Sequence, residues 1–585
     1  MEHIKQRIKN LATAVKFRLS TMDKLIPVSL LSILIGLVTG LVIVAFRWVI
    51  EESQVLILNN NDPESYESLP GWLQFALPTL GGLIIGLIFQ RIKESERAIG
   101  VVHVMRNLAH NQGRLPFKNA ALQFIGAAIS IISGHSVGRE GPCIHLGAAS
   151  GSLLGQAFLV PNNILRTLVG CGVAAAIAAS FNTPLAGVIF AMEVILMEYA
   201  LVSFIPIIIS AVVATAVMQA VYGDAPVLVF PSFNMGSLDH LGNVFLMGLM
   251  LGILAALFIQ SLRFFSRQLT NQPLWQRTTI AGALTGLIAI FIPEIMSLGY
   301  DTVNGAALGE FAFWALILIT LAKVLATTLG LGLGLPGGLI GPTVFIGATF
   351  GAAFGALWAD ADTSLGFYAL IGMAAMMSAT LNAPLAALTA ILELTANPNI
   401  IMPGMLAIVV ANLTTTQLFG QDSVYHMQLK DKGITFDNNP VSQYLRGLSI
   451  NHLLKKPVFF LPHHLLSIKE LSLHLQHSGW LLIKSAETPH ATLINIDDVK
   501  NHLNNIDAQP DAQIDLLSLP VDQSPAAAIN LRASLQDALA SIRNEKVDTL
   551  YVVDNPLADT PIIYGIITRS DIEKTFLDQM KNSGS

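Results

Sequence analysis

Apolar runs broken by short polar punctuation follow one another along the chain as far as Phe419, and more polar, mixed segments follow them. Ile26–Val49, Leu73–Phe89, Val202–Val221, Leu241–Ile259 and Pro403–Phe419 are long enough, or nearly so, to cross a hydrocarbon layer ~30 Å thick as helices rising ~1.5 Å per residue. So many spans in succession argue against buried helices of a large water-soluble protein. The pattern predicts an all-α polytopic membrane domain over 1–428 and a small α/β cytoplasmic domain over 429–585. In the second region Ser534 is placed to cap a helix carrying Leu535, Ala538, Leu539 and Ile542. Strand-like Leu550–Val553 and Ile562–Ile567 follow. A weaker copy of that order precedes it, with a helix over Ser467–Gln476, a strand at Trp480–Ile483 and a strand-like run Leu493–Val499.

The membrane region repeats itself. Gly138-Arg139-Glu140-Gly141-Pro142 is followed by glycines at 147, 151 and 155, and Gly338-Leu339-Ile340-Gly341-Pro342 by glycines at 347, 351 and 355, an offset of 200 positions. Asn182-Thr183-Pro184-Leu185-Ala186 with Glu193 matches Asn382-Ala383-Pro384-Leu385-Ala386 with Glu393 at the same offset. Two similar halves are therefore expected, over about 26–222 and 241–428. Halves of this kind are commonly inverted, with a substrate held at the midplane between broken helices. The Gly-Pro pairs start new helices, because proline in a first turn has no N–H to lose. Glycines at four-residue spacing then let helices approach closely.

Composition supports the same class: 53% of residues are hydrophobic and 12% charged, against about 25% charged in ordinary globular chains. The net charge of −6 points to no nucleic-acid partner. Cys143 and Cys171, the two cysteines, sit in apolar sequence and imply neither a disulfide framework nor a metal cluster. No nucleophile–base arrangement is readable, so the chain is not expected to be an enzyme or to require a cofactor. The N-terminal segment is basic (Lys5, Arg7, Lys9, Lys16, Arg18) and lacks the pattern of a cleavable signal peptide. Basic residues return at Arg91, Lys93, Arg97, Arg106, Arg114 and Lys118, whereas Asn59–Ser68 has none. The positive-inside rule puts the N-terminus in the cytoplasm.

A helix start presents unpaired N–H groups and roughly half a positive charge, which makes it an anion site without a fixed cation. Two such starts, one per half, are expected to converge on one anion. Glu140 stands out there, because a carboxylate at membrane depth costs several kcal/mol and so signals function. Ionised, it can itself occupy an anion path; protonated, it can leave. The bland alternative is an ion pair with Arg139. Lys323 is an intramembrane cation that either raises the local anion potential or pairs with a carboxylate. His103, His135 and His145 are read as hydrogen-bonded structural groups.

The GREGP motif at 138–142, GGLIGP at 337–342 and Tyr425 together resemble the chloride-coordinating regions of the CLC family of chloride channels and chloride/proton antiporters. The resemblance implies a homodimer with one anion pathway per subunit and antiparallel halves. It makes Glu140 the gating glutamate, with Gly138, Arg139 and Gly141 around it. The amides of Leu339 and Ile340 and the Tyr425 hydroxyl would hold the anion. Two departures stand out. The family's first signature usually reads GSGIP, and the gap-free match is Ala98-Ile99-Gly100-Val101-Val102, so Ile99 replaces a chloride-touching serine. Antiporters of the family often carry an inner glutamate after the position of Glu193, and here Val194 stands there. Val194 favours passive conduction over proton exchange, with Glu193 left for a proton water-wire or, like Glu393, a structural role.

The tail resembles a pair of CBS modules, in which the Thr and Asp of a string such as Gly565–Asp571 contact the ribose of an adenine nucleotide; Thr568 and Asp571 take those places. The leading expectation is a cell-membrane chloride pathway. The alternatives are a proton-coupled exchanger of chloride or another, larger anion, and a membrane sensor whose CBS pair is the working part.

Overall fold

The computed structural model describes residues 25–58, 62–198, 201–224, 228, 240–358, 364–434, 440–455, 457–461, 463–484, 490–503, 513–556 and 562–582. The basic residues Lys5 to Arg18 lie outside them. The chain divides into two compact units, one comprising 24–157 and 165–436, the other comprising 1–23, 158–164 and 437–585.

In the first unit, eight helices among the described residues are long and apolar enough to cross a membrane, including Leu25–Leu58, Gly71–Gln90, His240–Arg267 and Phe313–Gly332. Large apolar side chains stand exposed along their outer faces: Leu30, Ile33, Leu37 and Leu41 on the first, Leu246, Met250, Ile253 and Leu257 on another. Exposure at three- and four-residue spacing is what a lipid-facing helix stripe requires. The inner faces meet through small residues. A Cβ added at Gly147 would lie 2.2 Å from the Gly172 carbonyl oxygen, and one at Gly347 would lie 2.4 Å from that of Gly372. These two contacts are the same contact at an offset of 200 positions.

The halves also touch each other reciprocally. Gly138 and Gly338 exchange backbone hydrogen bonds, Gly138 N–H to Gly338 O at 2.8 Å and the reverse at 2.7 Å. Glu193 accepts from the Leu385 and Ala386 amides at 3.2 and 2.7 Å, at the start of the Pro384–Thr395 helix. Glu393 accepts from Leu185 and Ala186 at 2.8 and 2.7 Å, at the start of the Pro184–Phe190 helix. Each carboxylate thus satisfies orphan N–H groups that the partner half leaves open. Where residue i meets j of the other half and j's mate meets i's mate, the contact is isologous. Glu193 is the third residue of a π-helical segment, Ala191–Leu196, that periodicity did not predict.

The second unit contains a six-stranded sheet. Its strands are β1 Val458–Leu461, β3 Trp480–Ile483, β4 Ala491–Asn495, β6 Gln523–Asn530, β7 Thr549–Val553 and β8 Ile563–Thr568, in the order β1-β3-β4-β6-β7-β8. A separate pair joins β2 Leu465–Ser467 to β5 Gln513–Asp515. β1 and β3 are parallel and β3 and β4 antiparallel; β6, β7 and β8 repeat that arrangement. A capped helix lies between the parallel strands of each set. Ser467 and Glu470 form a capping box on Ile468–Leu475, and Ser534 and Asp537 form one on Leu535–Glu545. One prediction fails: the run Leu493–Val499 is not all strand. β4 ends at Asn495, whose side chain accepts from the Asp497 amide at 2.9 Å, and Ile496–Leu503 is helical with Ile496 and Val499 buried.

Candidate functional site

The two Gly-Pro motifs do start helices. Glu140 is the first residue of Glu140–Ala157 and Ile340 the first of Ile340–Trp358, and the Gly138–Gly338 bridge holds the two starts together. Glu140 is completely buried. One carboxylate oxygen accepts from the Gly341 amide at 3.0 Å, so it rests on the N-terminus of the helix from the opposite half. The other oxygen accepts from the Tyr300 hydroxyl. Glycine is required around this seat. A Cβ at Gly138 would lie 2.5 Å from the carboxylate oxygen and one at Gly341 would lie 2.8 Å from it. The carboxylate therefore sits where a free anion would sit, held by a helix start and a hydroxyl.

The structure corrects part of the expected ligand set. The Gly138 N–H is spent on the Gly338 carbonyl and has no donor left for an anion. Arg139 makes no ion pair with Glu140. Its guanidinium donates to the Ser180 carbonyl at 3.3 Å, stands 3.9 Å from the Glu51 carboxylate and lies over the Tyr300 ring at 5.2 Å. Gly141 packs its Cα against Gly338, where a Cβ would come within 2.6 Å of the Gly338 Cα. Leu339 and Ile340, at the start of their helix, have N–H groups with no intrahelical acceptor.

Two cavities lie close to Glu140: its neighbour Arg139 and its partner Tyr300 line one, and Gly141 lines the other. The first, about 330 Å³, is lined by Arg47, Glu51, Glu64, Arg139, Tyr300 and Asp301 among others. The second, about 280 Å³, includes Ile99, Gly100, Gln123, Gly141, Leu339 and Tyr425 in its lining. Tyr425 is buried, and its hydroxyl has no hydrogen-bond partner among the described residues. Ile99 is half-buried at the start of the Gly100–His110 helix, and its side chain offers no donor. The next amide is not free to replace the missing hydroxyl: Gly100 N–H donates to the Gln123 side-chain oxygen at 2.7 Å.

Lys323 anchors the segment that carries Tyr300, the hydrogen-bond partner of Glu140. Fully buried, its ammonium donates to the Ile295 and Ser297 carbonyls at 2.9 and 3.1 Å, in the turn that leads into the Tyr300–Leu308 helix. On the other side of that helix start, Glu64 accepts from the Tyr300 amide at 2.7 Å. Glu64 lies between the first two spans, and burial together with the Asp301 carboxylate pushes its carboxyl up to about 7. Sequence reasoning missed Tyr300, Glu64 and Gln123. The usable signal was polar residues at membrane depth, notably one glutamine inside the otherwise apolar stretch Ala120–Ile129.

The remaining expected residues fall elsewhere. Both oxygens of Glu193 are occupied by backbone amides, and Val194 is buried beside it. His103 and His145 hydrogen-bond each other at 2.9 Å, whereas neither ring nitrogen of the buried His135 has a partner among the described residues. In the second unit, the Thr568 hydroxyl donates to the Asp571 carboxylate at 2.6 Å and accepts from the Asp571 amide at 3.3 Å. Lys455 pairs with the same carboxylate at 2.8 Å. The pair caps the Arg569–Asn582 helix.

Comparison with known proteins agrees with this geometry. The family model described as voltage gated chloride channel matches residues 81–416. A putative chloride channel protein, ClcB-like, of Ralstonia nicotianae is 32% identical over 406 residues, covering 67% of this chain and 94% of the relative. The H(+)/Cl(-) exchange transporter ClcA of Vibrio cholerae is 28% identical over 429 residues, 70% of this chain and 91% of that one. The crystal structure of a eukaryotic CLC transporter matches with a TM-score of 0.59 and 18% identity, over 94% of this chain and 98% of that one.

Proposed function

The chain belongs to the voltage-gated chloride channel family, the CLC anion transporters, and from that footing we propose that it conducts chloride through a pathway gated by the Glu140 carboxylate. The observation that carries the proposal is the seat of that carboxylate on the Gly341 amide, between two helix starts. Ionised and seated, Glu140 blocks the path from the Tyr300 cavity to the Tyr425 cavity. Protonated or displaced, it frees the seat for an anion. The Leu339 and Ile340 amides and the Tyr425 hydroxyl then receive the ion. These are dipoles rather than full charges, strong enough to replace hydration and weak enough to release.

Passive conduction is our reading over proton-coupled exchange. Val194 carries no proton, and both oxygens of Glu193 already serve as acceptors for the opposite half. The reciprocal contacts support halves that are inverted in the membrane, and the family favours a homodimer with a pathway in each subunit. We place the N-terminus and the C-terminal unit in the cytoplasm and read that unit as a CBS-like pair. An adenine nucleotide at Thr568 and Asp571 would have to displace Lys455 from the carboxylate; titrating the full-length protein with ATP tests it, and no heat or stability change removes it.

The central test is flux from liposomes containing the purified protein. Wild type should release chloride, and Glu140→Gln should release it faster and without dependence on pH. Absence of chloride efflux from both proteins would overturn the reading. Uphill proton movement driven by a chloride gradient would overturn the preference for conduction.

A further inference from the structure

Gln123 is fully buried within the membrane unit, on the Phe117–Ile132 helix. Its side-chain oxygen accepts from the Gly100 amide at 2.7 Å. A backbone N–H can only donate, so this bond fixes which end of the amide is oxygen and which is nitrogen. The NH2 group has no hydrogen-bond partner among the described residues. The residue lines the same cavity as Tyr425, whose buried hydroxyl is also without a partner there. Buried donors are rarely left unsatisfied, and two facing one cavity mark the place of an acceptor that the protein itself does not supply.

The lining says what kind of acceptor. Arg97 and Lys432 contribute cationic groups, Gly141, Gly338 and Leu339 contribute backbone, and no aspartate or glutamate is present. An anion suits that lining better than a cation or a protein carboxylate. Ile99 lines the cavity as well, and its side chain has no donor.

We propose that Gln123 is an anion-coordinating residue, its NH2 group donating to the ion held near Tyr425 in place of the hydroxyl absent at Ile99. The Gly100 bond is what orients it. A carboxamide in this role would also shape selectivity: its donors are fixed in a plane, unlike a rotating hydroxyl, and so favour ions that accept in one direction. The inference rests on the anion-pathway reading, and the two can fail separately. If wild type and Glu140→Gln conduct no chloride, the pathway reading fails. If they conduct and Gln123 proves indifferent, only this inference fails.

The test is chloride binding by calorimetry in detergent, alongside the ratio of nitrate to chloride flux in liposomes. Gln123→Met should weaken chloride binding roughly tenfold to a hundredfold, the loss expected for a hydrogen bond to an ion, and should change the flux ratio. Adding Ile99→Ser to that variant should restore part of the affinity, which a purely structural role would not predict. Unchanged chloride affinity in a folded Gln123→Met protein overturns the inference, and would mean that the NH2 group serves a resident water. Should that variant not fold, wild-type crystals soaked in bromide decide it. An anomalous peak within hydrogen-bond distance of both the Gln123 nitrogen and the Tyr425 oxygen supports the assignment; a peak elsewhere in the cavity, or none, overturns it.

Discussion

Replacing Tyr300 with phenylalanine removes one oxygen and leaves the ring that lies beneath the Arg139 guanidinium. The Glu140 carboxylate then keeps the Gly341 amide as its partner and loses the hydroxyl. A hydrogen bond to an ionised group is worth about 1.5–3 kcal/mol. Each ~1.4 kcal/mol is a factor of ten in an equilibrium. The seated, blocking position of Glu140 should therefore lose roughly ten- to hundredfold in occupancy relative to the displaced one. Stopped-flow or electrode recording of chloride efflux from liposomes at neutral pH reads this directly. Tyr300→Phe should be faster than wild type and should approach Glu140→Gln as its ceiling. The double substitution should be no faster than Glu140→Gln alone, because the hydroxyl then has no carboxylate to hold. The reasoning is refuted if Tyr300→Phe conducts at the wild-type rate while Glu140→Gln is accelerated.

Gly341→Ala should act on the same seat from the other side: its Cβ would fall 2.8 Å from the mobile end of Glu140, so efflux should rise with little loss of folded protein by size-exclusion chromatography. Glu193→Ala and Glu393→Ala each remove the acceptor of two orphan amides, and thermal denaturation in detergent should show a similar loss for both, ~0.5–2 kcal/mol as for other lost helix caps; a large loss for one alone would contradict equivalent roles. The Glu64 carboxyl sits at about 7 against an ordinary 4.5, so the folded state holds its proton more tightly than the unfolded state. The stability this contributes is complete below pH 4.5 and is lost as pH rises through about 7, at most ~3 kcal/mol across that window. A denaturation series against pH should show the decline, and Glu64→Gln should flatten it.

The spans and the two halves were legible because they rest on local rules. Apolar length marks a membrane helix, and a Gly-Pro pair marks a helix start, whatever the rest of the chain does. Glu140 was legible for a related reason: a carboxylate is conspicuous in such sequence. Its partners were not. Tyr300 lies 160 positions away in sequence, and a lone tyrosine near a span end reads as an interfacial aromatic. The fate of the Gly138 amide depends on a bridge between halves, and no single motif announces which of its N–H groups the fold will consume. In the tail, Leu493–Val499 satisfies alternation and a helical three-residue spacing at once; the Asn495 side chain decides between them by capping the helix. The π segment around Glu193 shifts register by one residue per turn without leaving any compositional trace.

The crossed carboxylates of Glu193 and Glu393 have a consequence for how such a molecule can originate and be taken apart. Neither half closes its own helix start; each depends on a glutamate that its mate provides. A single ancestral half pairing with a copy of itself would make both contacts at once, with no further change in sequence. Gene fusion would then preserve an association that already existed. The same logic predicts that the two halves, expressed as separate polypeptides, recognise each other and reassemble, and that neither persists alone.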